Sequence, residues 1–343
     1  MNTIDETNGA PAVAVTETMS AITFDRYGSG DVLRLTQVPR PVPADDQVVV
    51  RVRAASLNPY DWHYVTGLPR VIRPQFGLFK PKDENQRLGA DLAGVVESVG
   101  KDVTRFGPGD EVYGEIRLGS HAEYAIARET TLSPKPPSLS FEEAAAVSMA
   151  AQTALQGLRD SGQIRPGHKV LINGASGGVG TYAVQLGKWF GAEVTGVCST
   201  RNVEMVESLG ADRVVDYTKE DFTQGNERYD LVFDLIGNHT PSAYRRILTP
   251  QGRFVASFGQ PENLWLGPFG FFIGMRAVSL FGERQMVLLS TRPNSEDLRY
   301  LSDLIEKRAL RPVIDRSYAL HQVPEAIDYL ALGHARGKVV ITV

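Results

Sequence analysis

The stretch that decides the fold is Ile172-Asn-Gly-Ala-Ser-Gly-Gly-Val-Gly180. Its glycines Gly174, Gly177 and Gly180 recur every third residue, directly after the apolar run HKVLIN (168–173) and directly before the helix-forming run VGTYAVQLGKWF. Strand, glycine-rich turn and helix in that order make a dinucleotide site. Glycine lets the backbone turn tightly and approach a diphosphate, while the free N–H groups and positive end of the helix stabilise its charge. Gly174, Ser176, Gly177, Gly178, Val179 and Gly180 are therefore expected to hold the cofactor.

Two other motifs compete for the same residues. A phosphate-binding loop of the ATPase type needs a Lys and a Ser or Thr after its last glycine, and no Lys follows this turn. Gly174-Ala-Ser176-Gly-Gly178 also fits the nucleophile elbow of serine hydrolases, with Asp234 and His321 downstream in hydrolase order. A hydrolase acting through Ser176 thus stands as the alternative from another class. Against it, a hydrolase has no need of Gly180, and a β-rich leading region suits its single sheet poorly.

Working outward, apolar strands and amphipathic helices alternate after the motif: EVTGVC, NVEMVESLG, RVVDY, DLVFDLIG, PSAYRRILT and RFVASFG. That alternation predicts a doubly wound parallel sheet covered on both faces. Just before it, SFEEAAAVSMAAQTALQGLRD reads as a helix capped by Ser140 with two glutamates in its first turn. From Ala21 to about Lys135 the chain is different, with short β-type runs cut by Gly and Pro, such as QVVVRVRAASL, AGVVESVG and HAEYAIA. These predict a compact antiparallel or barrel-like β domain. After Pro293 a helix, SEDLRYLSDLIEKRAL, leads to VIDRSYAL and GKVVITV, which return to that first domain. The expected division is a flexible tail over 1–18, a β-rich domain over 19–150 and 292–343, and a dinucleotide-binding domain over 151–291.

Composition narrows the function. With 343 residues, 42% of them hydrophobic, the chain has enough apolar content for two cores. Its net charge of −4, without a dense basic block, argues against nucleic acid as a partner. The lone Cys198 forms no internal disulfide and no multi-cysteine zinc lobe, which predicts a reducing compartment, the cytoplasm. The first eighteen residues carry acids but no Lys or Arg, unlike a signal or transit peptide. The most apolar stretch, 264–280, is broken by Gly267, Pro268, Gly270, Gly274 and Arg276, so no membrane span is expected. Cofactor choice is read after EVTGVC, where an NAD enzyme places an acid against the ribose. This chain has Cys198-Ser-Thr-Arg201 instead. Ser199, Thr200 and Arg201 suit a 2′-phosphate, which predicts NADP(H).

These residues resemble the medium-chain dehydrogenase/reductase superfamily, in its zinc-free quinone oxidoreductase branch. The matching stretches run in order through AASLNPYDWHYVTG, GADLAGVVESVGKDVTRFGPGDEVYG, HAEYA, EEAAAVSMAAQTAL, NGASGGVG, GADRVVDY and HARGKVVITV. The resemblance implies a GroES-like catalytic domain interrupted by a Rossmann-type domain, with the active site between them. Where the zinc enzymes of that superfamily have a ligand Cys, this chain has Asn58, and where they read Gly-His-Glu it reads Gly89-Ala90-Asp91. Without thiolate and imidazole, no metal is expected.

By the same resemblance the acceptor is a small quinone or enone, electrophilic enough to take hydride with only hydrogen-bond donors at its oxygen. The catalytic candidates are Asn58, Asp61, His63 and Tyr64. Asn58 would orient nicotinamide or substrate, His63 or Tyr64 would donate a hydrogen bond or proton, and Asp61 has an equally good structural use in satisfying backbone groups. Thr153 is expected near the nicotinamide, Tyr217 near the adenosine phosphate, and Gly237 with Phe258 along the ring, with Lys338 as a further carry-over. A non-catalytic nucleotide-binding relative of the crystallin kind remains a third reading. The run 284–290 reads as an apolar edge strand, so a twofold homodimer joined there is expected.

Overall fold

Alternation sets up the long strand Gln47–Leu57: Arg51 and Arg53 face out between buried Val50, Val52 and Ala54, and every residue from Ala54 to Asn58 is buried. One edge of this strand takes two partners in succession, Tyr124–Arg128 along its first half and Lys338–Thr342 along its second. Its other edge pairs with Asp91–Val99. The full sheet runs Ile314–Ala319, Lys338–Thr342, Gln47–Leu57, Asp91–Val99, Glu111–Glu115 and Leu132–Pro134. A small sheet of Arg34–Pro39, Thr18–Phe24 and Gln86–Arg87 lies beside it. This is the GroES-like domain, and the last two strands of the chain do return to it. The computed structural model describes residues 17–82, 86–257, 271, 273–275 and 284–343. Phe258 and most of 264–281 lie outside them.

The second sheet has six strands, all parallel, in the order Arg213–Asp216, Glu193–Cys198, Lys169–Asn173, Tyr229–Asp234, Leu248–Ala256 and Gln285–Leu288. Numbered along the chain this is 3-2-1-4-5-6, the Rossmann order, whose direction of winding reverses between Lys169–Asn173 and Tyr229–Asp234. Ligands of such sheets bind outside the strand ends at that reversal. The glycine motif begins there.

The expected helix from Ser140 is interrupted. Phe141–Ala145 forms a first segment with its capping box intact: Glu143 N–H donates to Ser140 Oγ at 3.2 Å, and Ser140 N–H to Glu143 Oε2 at 2.9 Å. Ser148–Gln156 then starts afresh. Tertiary groups mark the break, because the Tyr182 hydroxyl donates to the Ala146 carbonyl at 3.1 Å and the Asp91 carboxylate accepts the Met149 N–H at 2.9 Å. An acid at a helix N-terminus is favourable both as an acceptor and against the dipole. Among the described residues no helix is long and apolar enough to cross a membrane.

Candidate active site

The glycines of the motif differ in what each does for the turn. Gly174 adopts φ of 89°, a conformation that side chains avoid, and turns the chain so that its N–H and that of Ala175 reach Val197 O at 3.2 and 3.0 Å. A Cβ on Gly180 would sit 2.1 Å from Gly174 O, so the helix packs on the turn only without a side chain. A Cβ on Gly177 would meet nothing nearer than Gly174 O at 3.5 Å. Gly177 therefore leaves room for something outside the protein. It caps the helix Gly178–Trp189, whose first N–H groups point out of the helix end.

The β-rich domain reaches over this turn. Gly337 N–H donates to Ser176 O at 2.9 Å, and a Cβ on Gly178 would come within 3.0 Å of the Lys338 side chain. Between the domains lies a cavity of about 1160 Å³. That exceeds the roughly 300–1,000 Å³ of a pocket for one drug-sized ligand. Gly174, Ser176, Gly177, Gly178, Val179, Gly180, Ser199, Arg201, Tyr217, Thr153 and Lys338 all line it. Arg201 donates through Nη2 to His334 O at 2.8 Å, and Tyr217 is 55% exposed. Thr200 and Gly237 sit beside the wall rather than on it. Thr200 Oγ1 donates to Asp216 Oδ2 at 2.6 Å, and Gly237 N–H donates to Asp234 Oδ1 at 3.1 Å. Asp216, also held by Thr218 Oγ1 at 2.7 Å and Lys219 at 3.1 Å, has its carboxyl well below the usual range, chiefly through the Thr200 bond.

The hydrolase alternative finds no assembled triad. Ser176 Oγ accepts from Asn202 Nδ2 at 3.0 Å, Asp234 is engaged by Asn173 Nδ2 at 2.8 Å and by backbone N–H groups, and His321 is an exposed residue of a turn in the other domain.

At the far wall, Asn58 begins the helix Pro59–Thr66 without spending its side chain as the cap. Asp61 caps the helix instead, since its Oδ2 accepts the Asn58 N–H at 2.8 Å and its Oδ1 the Gly89 N–H at 3.2 Å. Burial pushes the Asp61 carboxyl up to about 7, against the pull of those two N–H groups. Asn58 is left to donate through Nδ2 to Asp91 Oδ2 at 3.0 Å and to accept at Oδ1 from Lys338 Nζ at 2.5 Å. The Lys338 ammonium also bonds Leu57 O at 3.1 Å and Asp91 Oδ2 at 3.2 Å, while Ser56 Oγ donates to Asp91 at 2.7 Å. A buried ion pair survives only with its remaining valences satisfied, and this one is. The same network answers the question of zinc. By the resemblance Asn58 and Ala90 stand where the Cys and His ligands would be; Asn58 turns its Oδ1 to the Lys338 ammonium and Ala90 offers no donor, so the residues present do not fit a metal. Among the described residues no cluster of His, Cys, Asp and Glu could hold one.

Of the catalytic candidates, Asn58 lines the cavity, whereas Asp61, His63 and Tyr64 do not. His63 Nδ1 bonds Leu68 O at 2.7 Å, and Tyr64, 4% exposed, packs against Phe24 and Phe76. The wall is made by side chains the sequence did not single out: Tyr60, Trp62, Glu115, Arg117, Asn173 and Asn238. Tyr60 stacks on Tyr64 one turn away, so the helix presents one ring to the core and the other to the cavity. The expectation about Phe258 falls outside the described residues.

Family models for the GroES-like domain of alcohol dehydrogenases and for zinc-binding dehydrogenases match residues 44–137 and 209–341. The chain is 35% identical over 346 residues to the 2-methylene-furan-3-one reductase of tomato (Solanum lycopersicum), covering 96% of this chain and 80% of that one. It is 33% identical over 336 residues to a chloroplastic quinone-oxidoreductase homolog of spinach (Spinacia oleracea), covering 94% and 98%. The solved quinone oxidoreductase of Coxiella burnetii superposes with a TM-score of 0.84 at 31% identity, covering 95% of this chain and all of that one. With these matches, the glycine turn and the interdomain cavity, this chain belongs to the zinc-free quinone oxidoreductase branch of the medium-chain dehydrogenase/reductase superfamily.

Proposed function

We propose that the protein is an NADPH-dependent reductase of quinones or enones that works without a metal. The observation that carries this is the continuous cavity running from the glycine turn to a wall of hydrogen-bonding side chains around Asn58. The residues present fit a nicotinamide dinucleotide: the open face of Gly177 and the helix end behind it suit a diphosphate. The cofactor, when bound, supplies hydride. Thr153 and Asn58 both line the cavity and would position the ring and acceptor. Asn58 has two Nδ2 hydrogens, and only one is used by Asp91. The second, with the Tyr60 hydroxyl, can stabilise the oxyanion of the acceptor.

Preference for the 2′-phosphate is supported by the charges at the adenosine end. Arg201 and Tyr217 line the wall there, and the nearby carboxylate, Asp216, is turned into bonds with Thr200, Thr218 and Lys219. Arg201 has five N–H donors and spends one on His334. The reading includes a homodimer through the strand Gln285–Leu288 and a reducing, cytoplasmic setting for the buried, free Cys198. The test is oxidation of NADPH, deuterated at C4, against a panel of quinones, alkenals and cyclic enones. Deuterium on the reduced carbon of an enone is the expected result. Tight NADPH binding without turnover of any acceptor would favour the non-catalytic relative.

A further inference from the structure

Three buried or part-buried carboxyls gather at and behind the far wall of the cavity, and two of them are fully engaged. Asp91 accepts from Ser56, Asn58, Lys338 and Met149, and Asp61 accepts from the N–H groups of Asn58 and Gly89. The third, Glu115, ends the strand Glu111–Glu115 directly opposite Asp91 in the antiparallel register and lines the cavity. Among the described residues its carboxyl has no hydrogen-bond partner. We propose that Glu115 is the proton donor of the reduction, a role that rests on the reductase reading above.

The charges around Glu115 support this. Asp91 and Asp61 face it, the Lys338 ammonium beside them is already bonded to Asp91, and Tyr60 and Arg117 stand on the same wall. The helix Ser148–Gln156, packed against this strand, carries no titratable side chain, and Glu143 of the preceding helix is turned to Ser140. Three carboxyls gathered around one ammonium cannot all ionise cheaply when two of them are buried. Burial first, and then the Asp91 charge, push the Glu115 carboxyl up to about 8, so it holds its proton at neutral pH. Tyr60 is the weaker acid, since burial and the Asp61 charge raise its hydroxyl above its ordinary value.

The step balances without a further reagent. As hydride adds to the acceptor, a carbon–hydrogen or oxygen–hydrogen bond must form at the atom that receives the electron pair. The Glu115 O–H bond breaks, its proton completes the enol, ketone or quinol, and the resulting carboxylate regains a proton from solvent through the open cavity.

The test uses Glu115→Gln and Glu115→Asp in the full chain, first without nucleotide. An infrared difference between wild type and Glu115→Gln, titrated from about pH 6 to about pH 10, should contain a protonated-carboxyl band that disappears near pH 8. With deuterated NADPH and cyclohexenone, Glu115→Gln should bind NADPH as wild type does. It should lose at least about 100-fold in kcat and no longer show the decline in kcat above about pH 8. Glu115→Asp should recover part of the rate and the pH dependence. Wild-type kcat with an unchanged pH profile in Glu115→Gln, or a Glu115 already ionised at about pH 7, would overturn the proposal while leaving hydride transfer intact. Failure of wild type to transfer deuterium to any acceptor would overturn the reductase reading, and this role with it.

Discussion

Tyr60 and Tyr64 differ by one helical turn and by everything that matters for chemistry. Tyr60→Phe should cost about 10–100-fold in turnover if its hydroxyl stabilises the oxyanion. Tyr64→Phe and His63→Ala should stay within about threefold of wild type, because neither side chain lines the cavity. His63→Ala should instead lower stability by about 1 kcal/mol through loss of its bond to Leu68 O. Steady-state kinetics beside thermal unfolding separates these effects. Arg201→Ala should weaken NADPH binding by about 1–3 kcal/mol and leave NADH nearly unaffected, as read by fluorescence titration. Glu115 makes a stability prediction of determined sign. Its folded pKa, about 8, lies above the unfolded value, so the native state binds the proton more tightly. The stability this contributes is complete below about pH 4 and is lost as pH rises through about 8. Glu115→Gln should therefore match wild type near about pH 5 and exceed it near about pH 9, by about 1–3 kcal/mol after allowing for solvent screening.

Among the elements, the glycine turn separates binding from folding. Gly177→Val introduces a Cβ whose nearest neighbour, Gly174 O, is an ordinary contact at 3.5 Å, so the unfolding midpoint should hold while nucleotide binding disappears. Gly180→Val drives a side chain into Gly174 O and should destabilise the protein by about 1–3 kcal/mol or more before binding is measured. Thermal unfolding paired with NADPH fluorescence distinguishes the two. The broken helix over 141–156 makes a related point. Its composition favours a continuous helix, yet Asp91 and Tyr182 offer the backbone partners at the break that solvent would not hold in place.

For the whole molecule, the relevant feature is the edge of the six-stranded sheet. Gln285–Leu288 pairs with Leu248–Ala256 on one side, and Leu288 is 52% exposed. An apolar edge of this kind invites pairing with a second copy, and twofold closure would extend the sheet without leaving a new edge. Light scattering at micromolar concentration should give a dimer, and Val287→Lys should shift it toward monomer. An unaltered monomer in both would remove the dimer from the functional reading.

What the sequence by itself determined is everything carried by local pattern. Glycine spacing after an apolar strand specifies the nucleotide turn, the alternation of strand and helix specifies the parallel sheet, and the missing Cys and His at Asn58 and Ala90 bear on the metal. Each is written in residues close together in the chain. What only the tertiary structure decided is which side chains meet across it. Lys338 lies 280 residues from Asn58, and Glu115 faces Asp91 because of strand register, which no local spacing encodes. The aromatic residues 60, 62 and 64 read alike in sequence, and only the packing of their helix against Phe24 and Phe76 turned Tyr64 inward and left Tyr60 on the wall.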